Sequence, residues 1–179
     1  RRSSDLLLVS VARTLRETGR AAESRALLER DPAAALHVPE LTLERLLAQL
    51  REGPPASVLP ALDSLARRFP RATFMLAEAE FFSGKFDSAL VHYDAVARDP
   101  QSPDALTALE RWYRVDDGKT EPALGVVASQ AYARWRGDGA RARFLADSLF
   151  RALPHTSPLF ASAALAAADA RSAQKDLAG

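Results

Sequence analysis

Apolar residues recur at three- and four-residue spacing along almost the whole chain, and no stretch of alternating β-branched residues is long enough to make a strand. That pattern predicts an all-α fold of about ten helices, over residues 4–18, 20–30, 39–52, 56–68, 71–83, 86–98, 103–115, 121–136, 139–153 and 157–176. Gly19, Gly53, Gly84, Gly118 and Gly137 each fall just past a periodic run, where a left-handed helix cap favours glycine. Helix starts are marked by Ser102-Pro103, Thr120-Glu121-Pro122 and Ser157-Pro158, each a polar capping residue followed by a proline suited to the first turn.

The turn residues are themselves periodic. The first four glycines are 34, 31 and 34 residues apart, and a proline follows the turn glycine after 17, 16 and 17 residues in Gly53–Pro70, Gly84–Pro100 and Gly137–Pro154. A repeat of that length holds two helices and a tight turn, a unit too small to bury its own apolar face, so neighbours must stack.

The segment Ala72–Pro100, ATFMLAEAEFFSGKFDSALVHYDAVARDP, resembles a tetratricopeptide repeat (TPR). Leu76 and Ala77 stand for that family's Leu-Gly pair, Ala89 and Tyr93 for its Ala-x3-Phe, and Pro100 for its closing proline, one residue early. Thr73 replaces the family tryptophan and Glu80 the tyrosine, with Phe81 and Phe82 alongside. Ala77 and Ala89 are small where helices about 8–10 Å apart must cross.

The resemblance implies one domain over 1–179, a right-handed α-solenoid of about five antiparallel hairpins, with 157–179 as a capping helix and 71–100 as the clearest repeat. After Gly118 two registers compete. Counting from the N-terminus makes 121–136 a second helix, whereas Gly137, Ala142, Leu149 and Pro154 fit a repeat that 121–136 opens.

In that family the first helix of each hairpin lines a concave groove that holds a segment of a partner protein. The resemblance therefore implies a partner-binding set of Phe74, Glu78, Phe81 and Phe82 on 71–83, Leu43 and Leu47 on 39–52, and Trp112 on 103–115. The Lys and Asn residues of carboxylate-clamp repeats are not reproduced there. The expected function is a non-catalytic protein–protein interaction scaffold. The alternative is a regulatory or sensory arm of a larger signalling or transcription-regulatory polypeptide, suggested by a first residue that is Arg rather than Met.

Composition narrows this reading. Twenty-four basic residues nearly cancel 23 acidic ones, leaving a formal charge of +1 and no global field to recruit nucleic acid. Cysteine is absent, which removes disulfides and thiolate chemistry and suits a cytoplasmic or a periplasmic compartment equally. The apolar run Leu6–Val9 is far short of the roughly 20 residues of a membrane span.

Candidate chemistry is sparse. Gly118-Lys119-Thr120 ends like a phosphate-binding loop, but Tyr113 stands where that loop needs its first glycine, and a helix rather than a strand precedes it. Ser172 and Lys175 have Ser-x-x-Lys spacing without companion motifs. His37, His92 and His155 are scattered, with no second metal ligand at helical spacing, and Asp94, Asp99, Asp116 and Asp117 read as solvated or helix-end carboxylates. The most basic stretch carries Arg134, Arg136, Arg141, Arg143 and Arg151 against Asp138 and Asp147, and reads as a solvated outer face. No catalytic residue, cofactor, metal or small-molecule substrate is expected.

Overall fold

In the computed structural model, the structure describes residues 2–30 and 38–176. Ten helices are found among them and no strand: α1 (Arg2–Glu17), α2 (Ala21–Glu29), α3 (Pro39–Glu52), α4 (Leu59–Ala66), α5 (Thr73–Phe82), α6 (Phe86–Ala97), α7 (Ala105–Gly118), α8 (Leu124–Trp135), α9 (Gly139–Ala152) and α10 (Phe160–Asp176). The all-α expectation holds, with boundaries close to those read from the periodicity.

Prolines account for most of the differences. The single helix expected over 56–68 is a 3-10 turn, Pro55–Val58, followed by α4, because Pro60 has no amide to donate to the Ala56 carbonyl and the first α-helical hydrogen bond is lost. Pro103, Pro122 and Pro158 each sit in a turn two residues ahead of their helix rather than inside it. The hydroxyls meant as caps close those turns instead: Ser102 Oγ accepts from the Asp104 amide at 3.3 Å and Ser157 Oγ from the Leu159 amide at 3.2 Å.

Gly19, Gly84 and Gly137 have φ of 84°, 75° and 86°, as the cap reading requires. At Gly19 the amide of Arg20 reaches back to the Leu15 carbonyl at 2.8 Å and that of Gly19 to Arg16 at 3.2 Å; Asp138 and Gly137 repeat the pattern onto Ala133 and Arg134. Gly53 and Gly118 depart from the reading. Gly53 is extended, and Gly118 is the last residue of α7, buried, with no room for a side chain: an added Cβ would lie 2.6 Å from Leu159 Cδ2 and 3.2 Å from its Cγ.

The chain divides into two compact units, 1–83 and 84–179, with the boundary inside the segment 72–100 that resembles a TPR. In the first unit α1, α2 and α3 pack on one another, α4 packs on α3, and α5 on α4. Val9, Ala12, Leu28 and Leu41 form one core cluster; Leu46, Leu50, Val58, Leu62, Leu65 and Leu76 are also buried. Ser24 Oγ donates to the Ala12 carbonyl at 2.7 Å, so a small polar side chain closes the α1–α2 crossing with its hydrogen bond satisfied.

In the second unit α6 pairs with α7, α8 with α9, and α9 with α10. Small residues line these helices: Ala89, Ala108, Ala128, Ala133, Ala142, Ala146, Ala163 and Ala167 are all buried and let the backbones approach. The tight turn at Gly137 makes α8 and α9 a hairpin, the pairing required by the register in which 121–136 opens a repeat.

Candidate binding surface

The seven residues expected to line a groove are not equally available. Phe81, Phe82, Glu78 and Leu47 are buried, Phe81 completely. Leu43, Phe74 and Trp112 keep partial exposure. The physical reason lies in α5, where every residue from Leu76 to Phe82 is buried. A helix buried on every face, here with Glu78 and Glu80 among its apolar residues, lies within the packing and does not form the wall of a groove. The Phe81 and Phe82 rings lie 6.1 Å apart at a tilt of 48°, an aromatic contact inside that core.

The surface that does expose apolar residues lies elsewhere. On α7, Ala108 and Val115 are buried, while Leu106, Leu109 and Tyr113 face solvent at 70%, 41% and 54% exposure. Their i, i+3, i+7 spacing puts them in one row along the opposite face, beside the exposed carboxylates of Glu110 and Asp117. Trp112 abuts this row, its ring edge-on to Tyr113 at 5.3 Å. The row was legible in the sequence as a second apolar spacing on 103–115, half a turn from the core spacing.

On α9, Phe144 is 70% exposed and stands between the exposed Arg141 and Arg151, while Ala142, Ala146 and Leu149 are buried. On α1, Leu6, Leu7 and Val11 are exposed.

The charged candidates are mostly engaged within the chain. Arg134 meets Asp169 at 3.2 Å and Arg171 meets Asp147 at 2.9 Å, both linking α10 to the helices before it. Arg136 stacks over the Tyr132 ring at 5.6 Å. Burial raises the Tyr132 phenol above its ordinary value, opposed by that guanidinium. Asp94 pairs with Arg98 at 2.9 Å, Asp99 accepts from the Gln101 amide at 2.9 Å, and Asp117 is exposed.

Lys119 Nζ pairs with Asp116 at 2.8 Å, which raises its pKa, and Gly118 sits under Leu159 rather than in a phosphate-cradling loop. Ser172 is exposed on α10; the side chain of Lys175 lies outside the described residues. His155 packs on the Phe160 ring at 4.3 Å, His92 is half-buried, and His37 lies outside the described residues. Among the described residues no three His, Cys, Asp or Glu side chains converge as metal ligands would, and no helix is long and apolar enough to cross a membrane.

A buried ion-pair cluster joins α1 and α3. Glu44 on α3 accepts from Arg13 Nε and Arg16 Nε of α1, each at 2.9 Å, and both Glu44 and Arg16 are shielded from solvent. Arg51 donates to the Arg16 carbonyl. Burial lowers the Arg51 pKa, reinforced by the Arg16 charge and opposed by Glu17. Both carboxylate oxygens are satisfied and the two arginines come from one helix, so the cluster fixes α3 against α1.

No family model matches the chain, and neither a curated protein nor a solved structure does.

Proposed function

We propose that the chain is a non-catalytic protein–protein interaction scaffold, built as a TPR-like array of stacked helix hairpins. The observation that carries this reading is the row Leu106, Leu109 and Tyr113, which faces solvent on a helix whose other face is already buried. Exposed apolar side chains in a contiguous row, with an aromatic pair at one end and charges on the rim, are the usual composition of a protein-binding face. Leu43, Phe74 and Trp112 are the members of the expected groove that retain surface for the same role.

A photo-crosslinking residue placed at Thr107, exposed beside the row, tests this in native extract. The wild-type background should yield a discrete protein adduct, and Leu106→Ser/Tyr113→Ser should lose it while keeping its helical circular dichroism. An adduct equally strong in the folded double variant overturns the assignment.

A further inference from the structure

Resting on that reading, we propose that the protein seated on the α7 row is a second copy of this chain, presenting Phe144 of α9 between Arg141 and Arg151. Of the eight phenylalanines, Phe144 alone is exposed; the other seven are buried or part-buried. Its two arginine neighbours lie on the same outward face, three residues before and seven after. The α7 row offers the reciprocal arrangement, an apolar strip with Glu110 and Asp117 along its edge.

The charges are available for this use. Glu110, Asp117, Arg141 and Arg151 make no ion pair among the described residues, Arg151 Nε donating only to the Asp147 carbonyl at 3.1 Å, in contrast to Asp116, Arg134 and Arg171, which do. The spacing is compatible. Glu110 and Asp117 are about 10 Å apart along their helix and Arg141 and Arg151 about 15 Å, a difference that two long arginine side chains absorb.

The two faces belong to one compact unit and both are exposed there, so they do not satisfy each other within a chain. A formal charge of +1 leaves little repulsion between copies. Because the surfaces differ, copies can pair reciprocally about a two-fold axis or join head to tail, and either arrangement uses the same α7–α9 contact.

Sedimentation velocity of the full chain over a wide concentration range tests this, with circular dichroism confirming the fold of each variant. Wild type should show concentration-dependent association that weakens as salt rises. Phe144→Ser, Glu110→Arg/Asp117→Arg and Arg141→Glu/Arg151→Glu should each weaken it by about tenfold or more. Mixing the two charge-reversed variants should restore it, since each then presents a face complementary to the other. A wild type that remains monomeric throughout, or association unchanged in folded variants, overturns the proposal. A Thr107 adduct with a different protein, alongside monomeric wild type, would leave the scaffold reading standing; no adduct of any kind would remove both.

Discussion

Glu44 holds two arginines of α1 from inside the first unit, and its removal would leave the buried Arg16 with only the exposed Glu17, at 3.4 Å, as counter-charge. Glu44→Ala is therefore expected to cost about 3–5 kcal/mol, while the paired replacement Glu44→Met/Arg16→Met should cost far less, because no unmatched charge remains. Urea titrations followed by circular dichroism measure both; equal losses would show that packing rather than charge sets the penalty. Gly118 makes a second residue-level case. In a helix Gly→Ala ordinarily stabilises by about 0.5–1 kcal/mol, but here the new methyl would press on the buried Leu159 side chain. Overpacking is expected to win, with a net loss of about 1–2 kcal/mol, largely relieved in Gly118→Ala/Leu159→Ala when compared with Leu159→Ala alone. None of these contacts was legible in the sequence. The partners are distant along the chain, and neither a glutamate in an amphipathic helix nor a glycine at a helix end announces a tertiary partner.

At the scale of the element the sequence was far more informative, because helix period and chain termination are local properties. Gly19, Gly84 and Gly137 have the left-handed φ expected of them, whereas Gly118 occupies a similar sequence position for a packing reason. Two substitutions separate these uses of glycine. Gly137→Ala should destabilise by about 1–2 kcal/mol, since the backbone there is left-handed. Gly125→Ala, exposed on α8 with open space around it, should stabilise by about 0.5–1 kcal/mol. Thermal unfolding of the two variants should shift in opposite directions, and shifts of the same sign would contradict the turn assignment. The element level also explains the misplaced groove residues. Aromatic side chains on 71–83 marked a helix of high apolar content, but spacing alone does not distinguish a face turned to a partner from one turned to the core, and α5 is buried from Leu76 through Phe82.

For the whole molecule, apolar periodicity pointed to the all-α class and composition to the near-neutral charge, while α9 pairs with both α8 and α10. The arginine-rich stretch of α8 and α9 illustrates the limit. Read linearly it is a run of arginines, but Asp169 of α10 meets Arg134 of α8, two helices that are not consecutive in the chain. With Arg134 paired and a formal charge of only +1 on the whole chain, the protein should not retard duplex DNA or single-stranded RNA in a gel at near-physiological salt, and salt-sensitive retardation would contradict that expectation. The division at Ser83 and Gly84 has an optical consequence. Both tryptophans, Trp112 and Trp135, and all three tyrosines, Tyr93, Tyr113 and Tyr132, belong to the second unit, leaving the first with phenylalanine alone. Tryptophan and tyrosine absorbance and emission therefore originate entirely in residues 84–179. A denaturation curve recorded by tryptophan emission has no chromophore in the half that contains Glu44, and a proteolytic fragment ending near Ser83 would elute almost unseen by an absorbance detector, needing peptide-bond absorbance or mass to be found.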